Sequence, residues 1–154
     1  MDDDQIREWV RKLDTAKALE GENAWDELKP LGAAVVPFLA EFYPKARKWQ
    51  GRAALVFHAV AYARTSEAAF QLGVAALRDK ATIVRYRACG LCAYSLRSEA
   101  IAPLKQLLQH PDSQTIADAR AAIDAIQHRN HHYFVDRDHT GRSFWEVNPG
   151  DTAT

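Results

Sequence analysis

Ile83-Val84-Arg85-Tyr86-Arg87-Ala88-Cys89-Gly90-Leu91-Cys92-Ala93-Tyr94-Ser95-Leu96 decides the fold of this chain. Val84, Ala88, Leu91 and Ser95 fall at 4-3-4 spacing, which places them on one face of a helix. The polar linker Asp79-Lys80-Ala81-Thr82 precedes this run. Ser98-Glu99-Ala100 follows it, then a second helical stretch to Gln109 and the turn His110-Pro111-Asp112-Ser113. The same plan stands upstream: Gly51 to Ala63, then Thr65-Ser66-Glu67-Ala68 and a helical run to Arg78. Downstream, Thr115 to Gln127 forms one further helix. Glu67 and Glu99 lie 32 residues apart, as do Tyr62 and Tyr94, and the same offset aligns Val56, Ala88 and Arg120. A period of this length made of two helices is the mark of an α-solenoid, whose helix pairs bury their apolar faces by stacking.

These residues carry a resemblance. Ile83-Val84-Arg85 with Ala88 and Leu91, then Ser98-Glu99-Ala100-Ile101-Ala102-Pro103-Leu104 with Leu107-Leu108, then His110-Pro111-Asp112, resembles the HEAT-like repeat of the phycobilisome-lyase type. The match is strongest over Ile83 to Asp112. The last inner helix departs from it, because Asp118 stands near the place of an arginine. The resemblance implies an all-α short solenoid of about three HEAT-like helix pairs. It specifies architecture, while function must come from the surface, since repeat folds serve many tasks.

Towards the N-terminus, Asp2 to Asp4 supply capping oxygens and negative charge before Ile6, Trp9, Val10 and Leu13, an amphipathic stripe. This first helix is expected to run to about Leu19 and stop near Gly21. Asn23 can cap a short second helix, and Gly32 to Tyr43 reads as a helix kinked at Pro37. After His128 the pattern changes to alternation: His131 to Asp136 and Arg142 to Val147 flank the polar turn Asp138-His139-Thr140-Gly141. Aromatic and β-branched runs on both sides of such a turn predict a β-hairpin. The expected organisation is therefore a HEAT-like helical repeat domain over 1–128, a C-terminal β-hairpin packed on it over 129–150, and a tail over 151–154.

Lys plus Arg and Asp plus Glu number 20 each, so no global field favours nucleic acid or an anionic membrane surface. The aspartates at the start do not resemble a secretory leader, and no stretch reaches the roughly 18 apolar residues of a membrane span. A cytoplasmic protein is expected. Cys89 and Cys92 have CxxC spacing, yet they lie in mid-helix, where cysteine serves as a small packing residue.

His128, His131, His132 and His139 fall near Asp136 and Asp138, which raises a metal site. Adjacent strand residues point to opposite faces, so His131 and His132 are not expected to share an ion, and no metal is assigned. Asp136-x-Asp138-x-Thr140-Gly141 resembles the first half of a calcium loop, but position twelve is Val147. A plain turn is preferred there, with calcium left open. No Ser-His-Asp signature, phosphate-binding glycine loop or HExxH motif is present, and there is no His-Glu pair of the kind HEAT-like hydroxylases use. No enzyme and no cofactor is expected.

Tyr62 and Tyr94, one period apart, are expected to form an aromatic ladder with Tyr86, Arg87 and Arg97 on the inner face. Trp145 on the hairpin adds a further candidate contact, because tyrosine, tryptophan and arginine dominate protein interfaces. The expected function is a protein-binding HEAT-like module. The resemblance to small bacterial proteins of this fold suggests an immunity protein that neutralises a cognate toxin. The alternative is a HEAT-like nucleic-acid-binding protein or DNA glycosylase, with Lys45, Arg47, Lys48, Arg52, Arg85 and Arg87 as phosphate contacts.

Overall fold

Asp2 opens the first helix by a reciprocal cap: its carboxylate accepts from the Gln5 amide at 2.8 Å, and the Gln5 side chain accepts from the Asp2 amide at 2.8 Å. The computed structural model describes residues 1–152. The helices are α1 (Asp3–Arg11), α2 (Ala18–Leu28), α3 (Val36–Phe42), α4 (Trp49–Ala59), α5 (Glu67–Ala76), α6 (Thr82–Ser95), α7 (Ile101–Gln106) and α8 (Ser113–Gln127). Short 3-10 turns tighten several of their ends. The first helix stops at Arg11 rather than near Leu19, and Gly21 and Asn23 lie inside α2. Pro37 does not kink a helix: it sits in the first turn of α3, where its missing N–H costs nothing, after a bend at Gly32 with φ of 59°.

Helix α6 is the centre of the molecule, packed by α4, α5 and α8. Every residue from Ala88 to Ser95 is buried. Ala88, Cys89, Gly90, Cys92 and Ala93 are small, which lets neighbours approach from all sides; a helix apolar all round is a core helix. Both thiols are free and without solvent exposure, and burial pushes Cys92 up to about 12.

Two buried arginines repeat one device. Arg52 on α4 makes a two-pronged bond with Asp79, at 2.8 and 3.2 Å, and also donates to the Arg47 carbonyl at 3.1 Å. Arg85, at the matching point of α6, donates to Asp112 at 3.1 Å and to the Asp79 carbonyl at 2.9 Å. Each ties the start of its helix to the turns on either side of it. In the next helix the charge is inverted: Asp118, fully buried, accepts from Arg137 of the C-terminal segment at 3.0 Å. Asp118 thus anchors the chain that follows α8.

That chain is not a β-hairpin. Among the described residues there is no strand; His131–Phe134 is a 3-10 turn, and the rest of 135–152 consists of turns and irregular backbone. The reason lies in where its polar backbone groups go. The Trp145 amide donates to His132 Nδ1 at 2.9 Å, and the Trp145 carbonyl lies 2.8 Å from His131 Nε2. Val147 and Asn148 amides donate to Asp151 at 2.9 and 2.7 Å. Side chains take the partners that a ladder would have used, so the alternation in the sequence does not become a pair of strands. Asp151 is also no loose tail, since it accepts from the Tyr94 hydroxyl at 2.8 Å.

Candidate functional site

The C-terminal segment crosses α6 at Gly90, where an added Cβ would sit 3.3 Å from the Phe134 ring and 3.4 Å from Trp145. Phe134 is buried and Trp145 half-buried, so the segment forms one wall of a hollow whose other walls are α2, α4 and α6. The hollow encloses about 500 Å³. A second depression of about 420 Å³ continues it towards α1 and shares Trp25, Phe57, His58 and Arg87 with it. Together they make one groove. Its rim carries Trp49, Phe57, Ile83 and Val135, four of the seven large apolar side chains that are exposed among the described residues. Their concentration along one groove distinguishes them from apolar residues scattered singly on a surface.

Arg87 stands at the junction of the two depressions. Its guanidinium lies 4.6 Å from the centre of the Phe57 ring and 5.6 Å from that of Tyr86, a cation–π arrangement. Arg52, Arg85 and Arg97 each have a carboxylate partner, whereas among the described residues Arg87 has none. Beside it, His58 is stacked on Trp25 with ring centres 3.9 Å apart. Burial, with a smaller effect from Arg87, pushes His58 down to about 4, so its imidazole is neutral at neutral pH. The groove therefore offers an aromatic floor, the Arg87 guanidinium without a carboxylate partner among the described residues, the Lys29 ammonium at its edge and a neutral imidazole.

Four of the residues chosen from the sequence meet here: Tyr62, Tyr86, Arg87 and Trp145. Tyr94 and Arg97 do not. Tyr94 is 2% exposed, with its ring against Arg64, His131 and Trp145 and its hydroxyl bonded to Asp151 and Asn148. It is a core residue that clasps the C-terminal segment. The tyrosine ladder fails because α4 tightens into a 3-10 turn at Val60–Tyr62 while α6 stays α-helical to Ser95, which turns the two side chains differently. Arg97 lies over the Phe70 ring at 3.7 Å and is held by Glu67 and Glu99, each at 2.6 Å. Trp25, Trp49, Phe57, His58 and Ile83 belong to the groove and were not chosen. Trp49 and Phe57, two turns apart on α4 and off the Val56 stripe, were the signal available.

The histidines separate into two groups. His131 and His132 do not sit on opposite faces of a strand: their rings are 4.0 Å apart, and their nitrogens engage Arg64, Trp145 and the Asp151 carbonyl. Asp136 is a turn residue, accepting from the Thr140 amide and hydroxyl and the Gly141 amide at 2.7 to 3.0 Å. The Thr140 hydroxyl and these amides hold Asp136 below the usual carboxylate range. The second group is Asp124, His128 and His139, whose ligand atoms converge within 4.8 Å.

No known family pattern matches this chain. No curated protein matches it either.

Proposed function

We propose that the protein is a non-catalytic HEAT-like module that binds a partner protein through the groove at Arg87. One observation carries this reading: a guanidinium held against Phe57 and Tyr86, without a carboxylate partner among the described residues, in a hollow rimmed by exposed Trp49, Phe57 and Ile83. A partner that places an apolar or aromatic side chain on the floor and a carboxylate on Arg87 would satisfy both needs at once. Such anchors are what interface hot spots are made of. The resemblance to small bacterial HEAT-like immunity proteins makes a cognate toxin the preferred partner.

Two of the six cations that suggested nucleic acid are unavailable to it. Arg52 and Arg85 are buried and consumed by Asp79 and Asp112, so they offer nothing to phosphates. A displayed peptide library panned on the purified protein tests the proposal. Enrichment of sequences that pair an aromatic or large apolar residue with an acidic one is expected. Arg87→Glu and Phe57→Ala should each weaken the selected peptides by tenfold or more, with thermal stability little changed. Enrichment that the two variants retain in full, or selection of basic sequences, removes the reading. For the toxin itself, co-expression of the wild-type protein with its cognate toxin should relieve the toxin's growth arrest, and co-expression of Arg87→Glu should not.

A further inference from the structure

We infer that Asp124, His128 and His139 form a binding site for a divalent first-row transition ion, Zn(II) above all, on the face where α8 meets the C-terminal segment. Asp124 lies in the last turn of α8 and His128, four residues on, caps its C-terminal end, so their side chains lie together on one face. His139 comes from the following loop. Its Nε2 lies 2.6 Å from Asp124 Oδ2, and His128 Nδ1 lies 3.0 Å from Asp124 Oδ1. His128 Nδ1 also faces the Asp124 backbone carbonyl at 2.9 Å.

The loop is built to hold His139 there. Asp136 draws in Thr140 and Gly141, the His139 amide donates to the Asp136 carbonyl at 3.1 Å, and His139 itself takes a left-handed φ of 55°. Its ring is stacked on Tyr133, with centres 3.8 Å apart and planes 12° from parallel. An imidazole fixed on one face by an aromatic ring keeps its edge, and its Nε2, aimed at Asp124.

The donor set selects the class of ion. Two imidazoles and one carboxylate suit zinc, nickel or copper, whereas calcium and magnesium require more oxygens than one carboxylate supplies. Ligands of a tetrahedral ion at about 2.0–2.1 Å sit about 3.3 Å apart, so the two imidazole–carboxylate separations open slightly, within a set of ligand atoms that all lie within 4.8 Å of one another. On binding, the ion replaces the contacts of His139 Nε2 and His128 Nδ1 with Asp124, and each imidazole coordinates as a neutral ring whose single proton sits on its other nitrogen, Nδ1 of His139 and Nε2 of His128. The three side chains are 31 to 52% exposed, which leaves coordination positions open to water or to a partner's donor. The bound ion would join α8 to the segment that carries Trp145, and so stiffen one wall of the groove.

Titration of tag-free protein with Co(II) alone and with Zn(II) alone tests the site. One Co(II) per chain with visible ligand-field bands that Zn(II) abolishes is expected. His139→Ala, His128→Ala and Asp124→Asn should each lower affinity at least tenfold, while His110→Gln binds as wild type does. Side-chain NMR of the wild type needs no variant: Zn(II) should move the His128 and His139 ring signals and leave those of His58 unmoved. Equal binding by wild type and His139→Ala, unperturbed His128 and His139 rings, or no ligand-field bands would reduce the cluster to hydrogen-bonded side chains and overturn the inference.

Discussion

Replacing Arg52 by Met keeps most of the side-chain stem and removes the guanidinium that neutralises Asp79. The pair is closed from water, with side-chain exposures of 10% and 4%. Without Arg52 the Asp79 carboxylate retains the Tyr43 hydroxyl at 2.6 Å and the Ala81 amide at 2.9 Å, two neutral donors for a buried charge. Breaking such a pair from one side costs about 3–5 kcal/mol. At about 2–4 °C per kcal/mol for a chain of this size, the midpoint should fall by roughly 6–20 °C. Much of that loss belongs to the stranded carboxylate, so Asp79→Asn in the Arg52→Met background should cost far less than it does in wild type. Chemical denaturation of the four proteins of the cycle should give a coupling of about 2 kcal/mol or more. Burial pushes Asp79 up, but Arg52, Tyr43 and the Ala81 amide outweigh it and hold the carboxyl below its usual range. Its contribution is thus complete above about pH 4 and is lost as pH falls through the lowered value. Coupling under about 0.5 kcal/mol, or an Arg52→Met protein as stable as wild type, would refute the assignment of these arginines as buried ties between repeats.

His58, held down to about 4 against about 6.5 in the unfolded chain, should lower stability as pH falls from 6.5 to 4, because only the unfolded state takes up the proton there. The loss is about 3 kcal/mol, and the pH dependence of urea midpoints in that window should flatten in His58→Gln. Gly51→Ala would set a Cβ 2.6 Å from the Asp14 Cα and disturb the carboxylate that accepts from the Arg47 and Lys48 amides, costing about 1–3 kcal/mol. Gly21→Ala, in mid-helix with its nearest neighbour at 3.6 Å, should instead stabilise by about 0.5–1 kcal/mol; equal effects of the two in thermal melts would contradict the packing described. Cys89 and Cys92 should react with a thiol reagent only as fast as the protein opens, and rapid native labelling would mean that α6 is not the core helix.

The sequence by itself determined the helical architecture. The 4-3-4 stripe of Val84, Ala88, Leu91 and Ser95 and the turns at Asp79 and Asp112 are local signals, since helix periodicity and capping act over a few residues. Arg87, Tyr62, Tyr86 and Trp145 were legible as candidates because their side-chain chemistry suits an interface wherever it is exposed. Which of them share a surface was decided by tertiary structure. Tyr94 resembles Tyr62 in the sequence, yet Asp151, fifty-seven residues away, holds it in the core. Alternation after His128 predicted a hairpin, but a strand exists only if a second backbone pairs with it, and here His132, Asp136 and Asp151 side chains bind the backbone first. Asp124 in the last turn of α8 and His128 just after it are ordinary polar positions, and only the turn at Asp136 brings His139 to them. Contacts made across many residues leave no period in the chain, so the groove and the histidine cluster could be read only once the helices had packed.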